Sequence, residues 1–208
     1  MARRGKFITF EGGEGSGKST HINEAVSRLR GAGYTFLVVR EPGGTDVGEQ
    51  IRHVLQYSKN SAAMVPETEL LLFCASRSQL VQEIIRPALA EGKIVVADRF
   101  FDSTTVYQGV GRKIPGKAVD FINRFAIGDC LPDLTLVIDL DPLIGLERAR
   151  GRELFDRMEN QSLEFYQRVR QGYLDLAKRE PQRVKVIDGS QPIAAVWNQV
   201  WDHIAHVL

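Results

Sequence analysis

The chain has 208 residues, 43% hydrophobic and 25% charged, which is ordinary for a globular α/β protein and argues against a disordered or fibrous class. A formal net charge of +1, with Lys and Arg spread along the chain, gives no bulk field for a nucleic-acid polymer. Cys74 and Cys130 fit neither a paired-thiol nor a zinc spacing. No stretch approaches the roughly 20 apolar residues of a membrane span. These features predict a cytoplasmic protein without membrane or nucleic-acid partners, folded as one domain over 1–208.

In chain order, the apolar run Phe7 to Phe10 predicts a first strand, and Ser19 to Arg30 a helix. Further strands are predicted at Thr35 to Arg40, Ile94 to Asp98, Leu134 to Leu140 and Val184 to Asp188, all rich in β-branched or large apolar residues. Helical patterns cover Val47 to Tyr57, Glu67 to Ala90, Ser103 to Gln108, Lys117 to Phe125, Leu143 to Arg150, Leu163 to Arg179 and Ile193 to Val207. The alternation predicts a five-stranded parallel sheet flanked by helices, with ligands at the carboxyl ends of its strands. Two stretches break the rhythm, Gly109 to Gly116 and the Arg-rich segment Arg148 to Asn160, and both are read as mobile loops over a site.

Between the first strand and first helix lies Gly12-Gly13-Glu14-Gly15-Ser16-Gly17-Lys18-Ser19-Thr20, a match to G-x-x-x-x-G-K-[ST]. Such a loop turns successive backbone N–H groups and a helix N-terminus toward an anion. Lys18 is expected to reach the β- and γ-phosphates of ATP, with the Ser19 hydroxyl on Mg²⁺. Asp98 ends the third strand, where it serves either as the second Mg²⁺ carboxylate or as a strand-end cap. Arg40 and Arg99 follow strands at the same sheet edge, and their forks suit a phosphate monoester, or else a surface ion pair. Phe73 and Arg77 stand four apart on one helical face; by periodicity alone Phe73 is more often a core residue. His203 and His206, three apart near the C-terminus, read as a solvated helix end and not as a metal site.

The order and spacing of the phosphate loop, Arg40-Glu41-Pro42-Gly43-Gly44-Thr45, Leu72-Phe73-Cys74-Ala75-Ser76-Arg77, Asp98-Arg99-Phe100 and Ser103-Thr104-Thr105-Val106-Tyr107-Gln108-Gly109 resemble the thymidylate kinase family over nearly the whole chain. The resemblance implies a P-loop NTPase-type fold and a homodimer that moves the γ-phosphoryl group of ATP to dTMP, giving dTDP and ADP for dTTP synthesis. By carry-over, Phe73 stacks on thymine and Arg77 bonds its edge. Tyr107 lies against the deoxyribose, with Thr104 and Gln108 near the base. Arg40 and Arg99 hold the acceptor phosphate, and Glu14 accepts from the sugar 3′-hydroxyl. Some relatives carry a catalytic Arg where this chain has Gly15. The bacterial-type branch places that cation in a lid, here about 148–160, with Arg152 meeting the transferring group and Arg148 or Arg150 on adenine. An Arg introduced at position 15 is expected to offer similar charge from the opposite wall, unless it strains the loop.

Overall fold

The computed structural model describes residues 4–57, 63–149 and 161–208. Five strands form one parallel sheet: β1 (Phe7–Glu11), β2 (Phe36–Arg40), β3 (Ile94–Asp98), β4 (Leu134–Asp139) and β5 (Val184–Asp188), in the order β2-β3-β1-β4-β5. Strands β1, β3 and β4 are buried along almost their whole length because helices cover both faces, as parallel sheets require. The central position of β1 between β3 and β4 brings the loop after it to the point where strand order reverses, the usual ligand crevice of such sheets.

Alternation along β1 sorts its side chains. Ile8 and Phe10 pack against Ile22, Ala25 and Leu29 of α1 (Lys18–Gly31) and against Val196, Val200 and Ile204 of α9 (Ile193–Val207). Phe7 points the other way, into a cluster with Leu80, Ile85, Leu89 and Phe100. Thr9 and Glu11 share the Phe7 face by period 2. Thr9 Oγ1 lies 2.8 Å from Thr135 Oγ1, which donates to Asp102 Oδ2 at 3.0 Å. Arg183 Nη1 donates to the same carboxylate at 2.6 Å, so a buried polar chain fastens the start of the helix after β3 to the sheet.

Helix α2 spans Asp46–Tyr57, and α3 (Pro66–Leu80) runs through a π-helical turn, Val81–Ile85, into α4 (Arg86–Ala90). The predicted single helix over these residues therefore holds, widened where Arg86 N–H reaches back five residues to Val81 O. The wide turn lies just before Pro87, whose ring would crowd a regular helix. After β3, α5 (Phe101–Thr104) continues as a second π-helical segment, Thr105–Gly111. The loop expected from Gly109 is thus helical as far as Gly111. Arg112 N–H bonds Tyr107 O at 2.9 Å, and a Cβ on Gly111 would lie 2.6 Å from the Phe165 ring. The glycine that looked like a turn signal lets this helix lie against α8 (Leu163–Arg179). Helices α6 (Gly116–Ile127) and α7 (Pro142–Ala149) complete the described elements.

Candidate active site

The phosphate loop follows β1 directly and hands over to α1 at Lys18. Lys18 is buried and folds back on the loop, its Nζ donating to Gly12 O at 3.2 Å and Gly13 O at 3.0 Å. Burial, and then the Arg99 charge, lowers its pKa to about 8 against the pull of Glu14 and Asp98. Ser16 Oγ is buried without a hydrogen-bond partner among the described residues, and the space around Gly13 is open. An orphaned hydroxyl and free room beside a curled backbone fit an anionic oxygen supplied by a ligand.

Gly15 has φ +66°, and a Cβ there would lie 2.1 Å from Gly145 O of α7. A Cβ on Gly145 would in turn lie 2.3 Å from Glu14 O. Phosphate loop and α7 meet backbone to backbone, so an Arg at position 15 has no room while α7 stays in place. The cation expected there cannot be restored by substitution alone, and the clash, on top of the left-handed backbone, is the reason.

In front of the loop opens a cavity of about 240 Å³ lined by Glu14, Lys18, Ser19, Arg40, Phe73, Arg77, Asp98, Arg99, Thr104, Tyr107 and Gln108. Residues named from separate stretches of sequence thus line one space. Ser19 and Asp98 both border it, from the first turn of α1 and the end of β3. Thr20 is exposed on α1, and Gly12 and Gly13 border a smaller neighbouring cleft under α7 and α8. Arg148 is exposed in the last turn of α7; Arg150 and Arg152 lie outside the described residues.

The arginines are held by carboxylates. Arg77 is 1% exposed and its donors are engaged by the protein: Nε and Nη2 by Glu41, Nη2 also by Thr104 Oγ1 at 3.0 Å, and Nη1 by Asn123 Oδ1 at 3.1 Å and Cys74 Sγ at 3.6 Å. A ligand edge would therefore draw on the donors now facing Thr104 or the weakly accepting sulfur. Arg99 donates to Glu14 Oε1 at 2.6 Å and to Ser103 Oγ at 3.3 Å, and its guanidinium lies 5.0 Å from the centre of the Tyr107 ring. Its backbone is left-handed, φ +67°, a conformation costing a non-glycine residue about 1–3 kcal/mol. Arg40 Nη2 donates to both carboxylate oxygens of Glu49, at 2.9 and 3.0 Å, near the surface, and its Nη1 donates to Pro42 O at 3.0 Å.

Phe73 is half-buried, belongs to none of the hydrophobic clusters and faces the cavity, which favours the ligand reading over the core reading. Gln108 is set by Glu69, whose Oε1 accepts from its Nε2 at 2.8 Å. Sequence reasoning did not single out Glu41, Arg52, Gln56 or Ser103, which also line the cavity. Arg52 and Gln56 are one turn apart on α2, a face that could have been flagged; Glu41 declares itself only through its partner Arg77. Glu11 was likewise passed over. It is fully buried, and burial followed by the Asp102 charge pushes its pKa up to about 7.

A parallel sheet carrying a glycine-rich phosphate loop, with a basic cavity facing that loop, defines a P-loop phosphotransferase-like protein. Comparison with known proteins narrows this. The family model described as thymidylate kinase matches residues 10–200. The chain is 51% identical to the thymidylate kinase of Desulfosudis oleivorans over 91% of its length and 92% of the relative's. It is 48% identical to that of Geobacter sulfurreducens, over 95% of each chain. It is 47% identical to that of Kosmotoga olearia, over 93% and 92%. The chain belongs to the thymidylate kinase family.

Proposed function

We propose that this chain transfers the γ-phosphoryl group of ATP to the phosphate of dTMP, giving dTDP and ADP, and that the cavity before the phosphate loop receives the acceptor. The observation that carries this reading is that Lys18 of the phosphate loop, Arg99 after β3 and the Phe73–Arg77 pair of α3 line one cavity. A phosphate monoester at Arg99 and Arg40 faces the phosphate loop, and a flat base attached to it reaches the Phe73 ring. Thr104, Tyr107 and Gln108 form the base and sugar walls. Glu14, which holds Arg99 in this structure, accepts from the sugar 3′-hydroxyl.

The acceptor oxygen is anionic near neutral pH, so the site needs no general base. Its task is to hold two mutually repelling phosphates in line and to neutralise charge as the phosphoryl group moves. Lys18 and the backbone amides of 12–17 hold the donor phosphates. Ser19 and Asp98 are the residues that would hold Mg²⁺, which would supply charge neutralisation at the donor phosphates. Residues 148–160 act as the lid of this single-domain enzyme, with Arg152 at the transferring group and Arg148 or Arg150 at adenine. A coupled assay of ADP formation across dTMP, dUMP, dCMP and thymidine tests the reading: dTMP is expected to be the preferred acceptor. Phosphorylation of thymidine but not of dTMP would overturn it.

The enzyme works as a homodimer in the cytoplasm on this reading. Phe121 and Phe125 of α6 are 72% and 83% exposed, one turn apart, and Leu71 of α3 adds to the apolar surface of the neighbouring helix. Buried free Cys74 and Cys130 suit a reducing compartment, and among the described residues no helix is long and apolar enough to cross a membrane. Sedimentation of wild type and of Phe121→Asp/Phe125→Asp should show a dimer and a monomer.

A further inference from the structure

Glu11 ends β1 with its carboxyl on the Phe7 and Thr9 face, fully buried beneath the turn that carries Arg99. Its Oε1 accepts from Phe100 N–H at 2.7 Å. Its Oε2 accepts from Ser103 Oγ at 2.5 Å and from Tyr173 Oη at 2.8 Å, and Ser103 and Tyr173 are themselves 2.9 Å apart. Three donors from three places, the turn after β3, the first helix after it and α8, thus converge on one side chain.

The two amides that flank the Arg99 side chain are both tied to β1. Arg99 N–H bonds Phe10 O at 3.0 Å, and the next amide, Phe100 N–H, bonds Glu11. Together they hold Arg99 in its left-handed conformation, which a free turn would abandon. The side chain is fixed through the same group, since Ser103 Oγ accepts from Arg99 Nη1 at 3.3 Å while donating to Glu11. Burying a carboxylate is unfavourable unless donors converge on it. An apolar side chain of equal size would fill the space but could hold neither the amide nor the two hydroxyls.

We propose that Glu11, acting through Phe100 N–H and Ser103 and braced by Tyr173, is a positioning residue that aims Arg99 at the acceptor phosphate. This rests on the reading of Arg99 given under the proposed function. Glu11 touches neither nucleotide; it sets the backbone and the guanidinium that do.

The test is steady-state kinetics at pH 8 with Glu11→Gln, Tyr173→Phe, Ser103→Ala, the double variant Glu11→Gln/Ser103→Ala, and Arg99→Ala as reference. Thermal unfolding of each variant is followed in parallel. Glu11→Gln leaves one acceptor oxygen for three donors, and should raise KM for dTMP about tenfold while KM for ATP changes less than about twofold, the loss of one charge-assisted bond. Tyr173→Phe should give a smaller rise of the same kind, about threefold. In the Ser103→Ala background, Glu11→Gln should add much less than it does alone, because the link to the guanidinium is already broken. A lowered Tm with unchanged KM for dTMP in Glu11→Gln, beside a raised KM in Arg99→Ala, would overturn the positioning role and leave the acceptor reading standing. An unchanged KM in Arg99→Ala would overturn the acceptor reading itself.

Discussion

The donor side and the acceptor side of the cavity hold their cations in opposite ways. Lys18 rests on two carbonyls of its own loop, Gly12 O and Gly13 O, so the donor side is one continuous segment whose chemistry is mostly backbone. On the acceptor side each arginine rests on a carboxylate from elsewhere: Arg77 on Glu41, Arg99 on Glu14 and Arg40 on Glu49. These three pairs differ in depth. Arg77 and Glu41 are sealed from water, Arg99 and Glu14 are partly covered, and Arg40 and Glu49 are about half exposed. A phosphate arriving from solvent can displace Glu49 from Arg40 at little expense, because exposed pairs contribute about 0–1 kcal/mol. It has no such access to the deep pair, which fixes Arg77 as a wall of the site. To meet a ligand Lys18 must therefore give up loop carbonyls, whereas on the acceptor side Arg40 gives up a surface carboxylate and Arg77 stays in place.

The largest expected effect breaks the donor side. On the proposed function, Lys18→Ala removes a cation that acts on the transferring group and should lower kcat by roughly 10³–10⁵, the range that a single cation at a moving phosphoryl group commands. Among the described residues its hydrogen bonds go to loop carbonyls, so circular dichroism should show an intact fold. Near-normal turnover in a folded variant would remove the donor side from the comparison. Next comes the depth of the acceptor pairs. Glu41→Ala strands a buried guanidinium and should cost about 3–5 kcal/mol of unfolding free energy in urea titration. Glu49→Ala breaks the exposed pair and also frees Gly44 N–H, and should cost about 1–2 kcal/mol. Equal losses would mean that burial does not separate the two pairs.

The same division explains what was legible in the sequence. All five strands were readable within a residue of their ends because each is a short run rich in β-branched or large apolar residues. The phosphate loop was readable because its chemistry depends on spacing within eight residues, Gly12 to Ser19. The acceptor side was not readable from local pattern. Arg77 and Glu41 are 36 positions apart, and Arg99 and Glu14 are 85 apart, so only the fold makes them partners. Resemblance to a family supplied the arginines, but their carboxylates and the brace of Glu11 and Tyr173 carry no local signature. Gly111 misled as a turn residue because the π-helical segment there uses glycine for close packing against Phe165, not for a bend.

A pH titration sharpens the contrast at Glu11. Its carboxyl faces Asp102, Arg99, Ser103 and Tyr173, and its folded pKa of about 7 lies above the ordinary 4.5. The folded state therefore binds the extra proton between these values. The contribution to stability is full below about pH 4.5 and lost as pH rises through about 7. The span corresponds to about 3 kcal/mol. The Glu11→Gln variant does not titrate there, so its unfolding free energy relative to wild type should climb by up to that amount from pH 4.5 to 8. A flat difference across that range would show that Glu11 is ionised throughout in the folded protein.

The smallest effect, and the one that separates ligand wall from core most cleanly, is at Phe73. The ring is half-buried, borders the acceptor cavity and shares its helical face with Arg77 one turn on. A core phenylalanine cut to alanine would lose about 3–5 kcal/mol of stability, and the acceptor affinity would be unaffected if the fold survived. A stacking phenylalanine behaves the other way. Phe73→Ala should weaken dTMP binding by about 1–3 kcal/mol in calorimetry, the range for a base on an aromatic ring, while Tm falls by only a few degrees because the ring already meets solvent. The pair at Arg77 and Glu41 is left in place by this substitution, so any loss of affinity reports the stacked face and not the edge. Phe73→Tyr keeps a flat ring and should keep most of the affinity. If Phe73→Ala instead lowers Tm steeply and leaves dTMP binding intact, the ring is core and the base must lie elsewhere in the cavity.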